Sequence, residues 1–438
     1  MRIVLDVENS TTERNGKKHM DPFEINNHLV QVGMVNADNH DELHIVNIDH
    51  DESKDVSGAG HKLVQDVLDL TTLLIMHNAQ HDMMWLWESG FKYDGLIYDT
   101  MLAEYILDRG QRNPLSLGAC AERRKLEVQK DDTLKRYFKE GYNTNEIPLD
   151  ELSFYLRCDL LSTSWLFHSI EADYAEPESR GLRVIRDTTF TTCKTLTRMY
   201  MSGIRVDRSA LEEVRVEFEQ EKAEIEDRLQ KKIRKLMGDT PINLNSPEQM
   251  SQVVFSLRMN NKKEWADLFE FTSTVDEYKD AVRANSTPVY RTKAFTCPTC
   301  EGQGKTFKTK KDGTKYARPN KCNDCNTRGF QLTETKQIAG LRFTAPNKGW
   351  ISANGFSTGK DNLEVLAATA RSNSMAEAES FLIDQRRLSA ISSYLSSFVE
   401  GISNYTKHDG FLHVSLTQHI TATGRFSGRN PNMQNMPR

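Results

Sequence analysis

Residues 2–8, RIVLDVE, decide how the first part of the chain folds. Apolar residues alternate with others over a short run, which predicts a β-strand. Asp6 and Glu8 stand two apart on it, so both side chains point to one face, roughly 6.5 Å apart along the strand. Two carboxylates in that relation can hold a divalent cation between them. On an edge strand the same pair is ordinary solvated charge, so the pair decides nothing alone.

Working outward, LVQVGMVN (29–36) and ELHIVNID (42–49) read as a second and third strand, and TTLLIMHN (71–78) as a buried one. AQHDMMWLWESG (79–90) reads as a helix stopped by Gly90. DTMLAEYILDR (99–109) and LSLGACAERRKL (115–126) look helical, with Pro114 as punctuation between them. DELSFYLRCDLLSTSWLFHSIEADY (150–174) is a long helix with an apolar stripe. Alternating strands and helices in this order predict an α/β domain with a mixed sheet.

Asp82 falls near the start of the helix after the buried strand, where it would also serve as favourable charge near a helix N-terminus. Asn78 is expected to cap that helix. His77 and His81 stand at i, i+4, but no HExxH context supports a metal there. Tyr155 and Asp159 lie one helical turn apart and face the same way. The alternative for that pair is a core tyrosine beside a surface acid.

Taken together, D-x-E on the first strand, an Asp after a central strand and Y-x-x-x-D on a late helix resemble the DEDDy 3′–5′ exonucleases of the ribonuclease H-like superfamily. IYDTMLAEYIL (97–107) and LSLGACA (115–121) also resemble that family's intervening segments. His81 departs from the pattern, since an aromatic residue commonly precedes the Asp; the change alters packing and removes no metal ligand. The resemblance implies that Asp6, Glu8 and Asp159 hold the metal that activates water. Asp6 would bridge to a second metal, Asp82 would support it through water, and Tyr155 would orient the attacking water. The implied product is a 5′-mononucleotide from a single-stranded 3′ end. Phosphodiester hydrolysis by two divalent cations about 4 Å apart fits such a set. Mg²⁺ (or Mn²⁺) takes oxygen ligands, which explains carboxylates in place of Cys or His.

Residues 187–201 and 208–237 read as helices around SGIRVD, a short turn or strand. The second carries Leu211, Val214, Phe218, Ile225, Leu229, Ile233 and Leu236 near helical spacing. A coiled coil is the alternative, but Glu221 interrupts the stripe. In INLNSPEQMSQVVF (242–255), Ser246 can cap a helix, Pro247 suits its first position and Gln249 can complete a capping box. FSTGKDNLEVLA (356–367) offers Thr358 and Asp361 in the same relation. Both strings resemble the thumb of family A DNA polymerases. There they lie close together; here residues 256–355 separate them.

Four of the seven cysteines fall in that insertion, as CPTCEGQG (297–304) and CNDCNTRG (322–329). Cys297, Cys300, Cys322 and Cys325 have the spacing of a tetrahedral zinc ribbon with Zn–S near 2.3 Å, a closed structural site for one Zn²⁺. The strings also resemble half-motifs of the zinc region of J-domain chaperones, which implies a metal knuckle and no chaperone activity. Cys120, Cys158 and Cys193 are scattered and read as small buried apolar residues. Lys305, Lys308, Lys310, Lys311, Lys315, Arg318 and Lys321 lie between the pairs against Glu301 and Asp312. They read as a solvated hairpin, a phosphate-contacting finger or a docking site for a processivity partner.

Residues 423–438, TGRFSGRNPNMQNMPR, resemble the signature that leads into the palm of family A DNA polymerases. The resemblance implies that Arg425, Asn432, Gln434 and Asn435 contact primer–template DNA, where donors in the minor groove read acceptors common to all base pairs. A polar Gly/Asn/Pro loop is the structural alternative. In that family the palm carboxylates and the fingers (motifs A, B and C) come after this point, so the polymerising site is expected outside this sequence. A second polypeptide carrying palm and fingers, or a truncated sequence, would account for that.

The expectation is an α/β ribonuclease H-like exonuclease domain (1–178), followed by a mainly α-helical thumb (179–257 and 346–410). A zinc-ribbon insertion (258–345, with the four-cysteine module at 297–325) interrupts the thumb, and the start of a palm (411–438) closes the chain. The leading function is the proofreading exonuclease and DNA-holding part of a family A DNA polymerase of bacteriophage type, acting in DNA replication. Self-sufficient exonuclease action and a non-catalytic duplex-binding or docking role are the rivals. The 438 residues carry a net charge of −5, so nucleic-acid contact must come from local basic patches. No apolar run has membrane-spanning length and MRIVLDVENS lacks a signal-peptide core, which predicts a cytoplasmic protein (host cytoplasm if phage-encoded).

Overall fold

A computed structural model describes residues 1–14, 16–126, 133–237, 242–255, 290–310, 313–315, 318–325, 327, 329–338, 340–344, 348–352 and 355–436. The stretch 258–289 of the expected insertion, Lys311 and Asp312 lie outside the described residues. The chain forms two compact units, Met1–Leu211 with Ser397–Arg438, and Glu212–Ser396.

The first unit is built on a five-stranded sheet. Its strands are β1 (Arg2–Asn9), β2 (Leu29–Asn36), β3 (Asn39–Asn47), β4 (Leu73–Met76) and β5 (Leu96–Asp99), in the order β3-β2-β1-β4-β5. The β1-β2-β3 pairs are antiparallel and the β1-β4-β5 pairs parallel. The strand expected at 42–49 begins earlier, at Asn39, and Asp49 belongs to a separate small hairpin. No strand was expected at 96–99. LIYD is too short to show a period, and it runs straight into the helix that was.

Among the described residues, α1 (Ala59–Asp69), α2 (Ala79–Glu88), α3 (Thr100–Asp108), α6 (Leu149–Ala175) and α7 (Arg180–Ser202) pack on this sheet, and α4 (Leu117–Arg123) and α5 (Thr133–Glu140) pack on α6. With both faces covered, the central strands are apolar nearly throughout. Val4, Leu5, Val32, Leu74, Ile75, Leu156, Leu160 and Phe167 share one buried cluster. Cys120, Cys158 and Cys193 are buried, as expected of small apolar fillers.

Residues 397–438 pack on the same unit. Tyr105 donates to the Thr421 carbonyl at 2.6 Å, Gln418 to the Thr189 carbonyl at 3.1 Å, and the Phe23 and His413 rings stack with centroids 3.7 Å apart. Lys407 is buried and its ammonium bonds the carboxylates of Asp21 (2.8 Å) and Glu24. Burying an ammonium is tolerable only with such partners.

The second unit contains α8 (Arg208–Met237, from Glu212 on), α9 (Pro247–Phe255), α10 (Lys360–Ser372) and α11 (Ala376–Ser393). The expected stripe of α8 is buried only towards its C-terminal end. Ile225, Leu229 and Ile233 join Leu363, Leu366, Phe381 and Leu388 in the core, whereas Val214 is exposed. Glu221, which breaks the stripe, accepts two hydrogen bonds from Arg387, each 2.6 Å. That bidentate pair closes the seam where an apolar contact would otherwise sit.

Two caps differ from expectation. Ser246 does accept from Gln249 N–H (3.4 Å), but the Gln249 side chain accepts from Asn243 N–H at 2.6 Å, so the box is only half formed. At α10 the cap position falls on Gly359, which makes no side-chain cap bond, so Thr358 does not act as the cap.

Candidate functional site

β1 places Asp6 and Glu8 across the ladder from Gly33 and Gln31 of β2. A Cβ at position 33 would lie 2.7 Å from Leu160 Cδ1 and 2.8 Å from Leu156 Cγ. The missing side chain therefore lets α6 settle directly on the sheet. Leu156 and Leu160 follow Tyr155 and Asp159 in sequence, so the same close approach brings those two residues to the carboxylates of β1. Asp82 arrives from the first turn of α2, immediately after β4, the parallel neighbour of β1.

The electrostatics show that the acids meet. Burial is the largest cause of the upward shift of every one of them, and repulsion from neighbouring acids adds to it for Asp6, Glu8 and Asp82. Asp6 is pushed up to about 8 by burial and by Asp159. Glu8 is raised well above its ordinary value by burial, Asp6 and Asp159. Asp82 is raised by burial, Asp6 and Asp99. Asp159 rises to about 6 through burial, with its bond from the Tyr155 hydroxyl acting the other way. The Tyr155 phenol is itself pushed up, first by burial and then by Asp159, so it stays protonated and donates.

The donor set suits hard divalent cations: oxygen atoms only, from four carboxylates. Asp82 Oδ2 is buried and bonds to nothing else in the described structure, the state of a ligand atom awaiting a partner. No three of these acids bring oxygens within 4.8 Å of one another. The residues fit Mg²⁺ or Mn²⁺, with Asp6, Glu8, Asp82 and Asp159 as holders.

His81, the departure from the exonuclease pattern, has a structural task. Its Nε2 donates to Asn9 Oδ1 at 2.9 Å, tying α2 to the end of β1. Asn9 uses its own amide to donate to the Ser10 carbonyl, which fixes its oxygen as the acceptor. Burial lowers the His81 pKa to about 4, so the ring is neutral near pH 7. His77 meets Thr100 and the Leu115 carbonyl at 2.8 and 2.9 Å, so the two histidines do not form a metal pair.

The expected cap of α2 is corrected. Asn78 holds the cap position in a left-handed conformation (φ 74°) but its side chain caps nothing. Asp99 does this instead. Its carboxylate accepts from the N–H groups of Asn78 and Ala79 at the start of α2 and of Met101 and Leu102 at the start of α3, at 2.9–3.2 Å. One buried acid thus serves two helix N-termini. The parallel pairing Met76↔Asp99 sets the two strand ends side by side and makes this possible.

A cavity of about 360 Å³ opens beside the first turn of α2 and is lined by His19, Gln80, His81, Lys407, His419 and Arg429, among others. His19, Asp21 and Glu24 have donor atoms within 4.8 Å of one another. The Lys407 ammonium already bonds both acids, so this trio is an ion network. Sequence reasoning missed the network, because Lys407 lies 386 and 383 residues from Asp21 and Glu24.

In the tail, Ser415–Thr417 pairs with Ser427–Arg429. Gln434 Oε1 accepts from Gly428 N–H at 2.8 Å, and Asn432 Oδ1 from Gln434 N–H at 3.1 Å. These two residues hold their own loop, which leaves the Gln434 amide nitrogen as its donor end. Arg425, Gln434 and Asn435 line one shallow depression with Gly424 and Phe426.

The four-cysteine set is compact. All four sulfurs lie within 4.8 Å of one another, with Cys297–Cys322 at 3.9 Å and Cys300–Cys325 at 3.6 Å.

Residues 307–438 match the family model of DNA polymerase family A. The relatives agree. The DNA polymerase of Bacillus phage SP01 is 27% identical over 386 residues, covering 86% of this chain and 35% of that protein. DNA polymerase I of Chloroflexus aurantiacus is 30% identical over 182 residues, covering 41% of this chain and 18% of that protein. The chain thus spans about a fifth to a third of the length of these curated relatives. Among solved structures, the POL domain of Pol1 from M. smegmatis, in complex with DNA primer-template and dNTP, is similar over the whole chain. The TM-score is 0.57 at 19% identity, and 53% of that chain is covered, which shows a DNA polymerase-like fold. Among the described residues no helix is long and apolar enough to cross a membrane.

Proposed function

We propose that this chain is the 3′–5′ exonuclease and DNA-holding part of a family A DNA polymerase acting in DNA replication. The observation that carries the reading is the meeting of Asp6, Glu8, Asp82 and Asp159 beside Tyr155 on one mixed sheet. The strand order, with β1 central between antiparallel and parallel neighbours, supports a ribonuclease H-like domain. The match of residues 307–438 and the phage relative support the polymerase context.

Divalent cations bound by these acids would supply an activated water and neutralise charge on the departing 3′ oxygen. Asp6, Glu8 and Asp159 would hold one, and Asp6 with Asp82 would serve a second. The Tyr155 hydroxyl, fixed by Asp159, orients the attacking water. His81 keeps α2, and with it Asp82, pinned to β1. Arg425, Gln434 and Asn435 present donors for primer–template DNA in the tail, and Asn432 shapes that loop.

The experiment is digestion of a 5′-labelled primer–template with a mismatched 3′ end, in Mg²⁺ and in EDTA, by the pure chain and by its Asp6→Ala and Asp159→Ala variants. A metal-dependent ladder from the 3′ end that vanishes in both variants is the expected result. Undiminished hydrolysis in either variant, or none in the wild type, would overturn the assignment.

A further inference from the structure

The four-cysteine module is built as two matching halves. In each, the glycine four residues after the second cysteine of the pair donates its N–H to that cysteine's sulfur: Gly304 to Cys300 at 3.2 Å and Gly329 to Cys325 at 3.3 Å. In each, the first cysteine donates its N–H to the other half's glycine: Cys297 to the Gly329 carbonyl and Cys322 to the Gly304 carbonyl, at 3.0 and 3.1 Å. Both glycines are left-handed, and a Cβ on either would strike the opposite half's backbone at 2.3 Å. Four sulfurs around one ion with Zn–S near 2.3 Å lie about 3.8 Å apart, and two cross-pairs here, at 3.6 and 3.9 Å, bracket that figure.

This double knuckle frames a short antiparallel ladder of Lys305–Thr306 with Asn320–Lys321. Lys305 faces Lys321 directly across it. Like charges in that position cost stability, and an anion outside the ladder would offset that cost. Lys305, Lys308, Lys315, Arg318 and Lys321 are exposed, and none of them has a carboxylate partner among the described residues. Several cations elsewhere in the same unit are matched: Arg215 with Glu212 and Glu219, Arg228 and Lys232 with Asp384, Lys235 with Glu377. On and around the ladder five exposed cations stand together without such partners among the described residues, which is the surface an external anion would fit.

We infer that Cys297, Cys300, Cys322 and Cys325 hold one structural Zn²⁺ that braces this basic ladder as a sequence-independent grip on the phosphate backbone of duplex DNA. The grip stands apart from the exonuclease reading, since no residue of the acid cluster takes part. Point-charge lysines suit phosphate contact without base readout.

The test uses the full chain without Mg²⁺, titrated into a labelled blunt duplex of about 20 base pairs between about 50 and 200 mM KCl. Lys305→Gln/Lys308→Gln/Lys321→Gln is compared with the wild type. Its plot of log affinity against log salt is expected to be shallower by about 2.7, at about 0.9 per lost phosphate contact. Its zinc content should stay near one per chain and its rate on short single strands should not change. An unchanged slope, or no duplex binding by the wild type, overturns the grip. Zinc is counted by metal analysis, and Cys300→Ser/Cys325→Ser should lose both the metal and the steep slope. A wild type that binds no zinc, or a cysteine variant that keeps the full slope, overturns the bracing role.

Discussion

The Cβ that Gly33 lacks would sit 2.8 Å from Leu156 Cγ, so the helix bearing Tyr155 and Asp159 can rest on the sheet only while position 33 has no side chain. Gly33 also pairs with Asp6. A single glycine therefore governs how closely the two halves of the acid cluster approach. Gly33→Ala forces Leu156 and Leu160 aside, at a cost of about 1–3 kcal/mol for overpacking. Because the displaced element carries two site residues, activity should fall further than stability suggests, by about tenfold or more in kcat. Thermal unfolding together with initial rates on a single strand checks this. A destabilised variant with full activity would show that α6 position does not set the site.

The acid cluster should make the metal-free protein less stable as pH rises. Unfolded carboxylates titrate near 4, whereas Asp159 titrates at about 6 and Asp6 at about 8, with Glu8 and Asp82 also raised. Between those values the folded state binds more protons than the unfolded one. Its stability is therefore full below about pH 4 and is lost as pH climbs through 6 to 8. In EDTA the unfolding temperature should fall between pH 5 and pH 8, and Asp6→Asn should remove part of the fall and raise the midpoint at pH 8 by a few degrees. A flat profile in the wild type would contradict the shared charge.

The same shifts set how Mg²⁺ is taken up. Protons on Asp6 and Asp159 must leave before the carboxylates can act as ligands. The Mg²⁺ concentration for half-maximal nuclease rate should therefore drop as pH rises from 6 to 8, and binding near pH 7 should release protons. Titration calorimetry in two buffers of different ionisation enthalpy reads the release directly. Equal apparent heats in both would rule it out.

Much of this site was legible in the chain because its determinants are local. Asp6 and Glu8 share a strand face by a two-residue period, and Tyr155 and Asp159 a helix face by a four-residue one. Each pair needs only its own element to form. What joins the pairs was not legible. The role of Gly33 depends on which helix covers it, and that helix begins 116 residues later in sequence. Thr358 looked like a cap by residue type, yet the turn begins at Gly359. Lys407 reaches Asp21 and Glu24 across 386 and 383 residues, a separation no local pattern encodes.

Asp99 shows the same limit and gives the last prediction. Read from the sequence it falls inside the helical run 99–109, whereas it stands before α3 and caps it. That it also caps α2 depends on β4 and β5 ending level, which only the sheet reveals. Asp99→Ala leaves four N–H groups without their acceptor at two buried helix starts. With about 0.5–2 kcal/mol lost per cap, the total should be about 1–4 kcal/mol. Asp99→Asn keeps one acceptor oxygen and should lie between the variant and the wild type. Because the Asp99 charge also raises the Asp82 pKa, removing it should lower the pH at which Asp82 ionises. The Mg²⁺ dependence of Asp99→Asn should accordingly shift to lower pH. A loss of stability without that shift would confine Asp99 to holding the helices, whereas the shift would make it a positioning residue for Asp82.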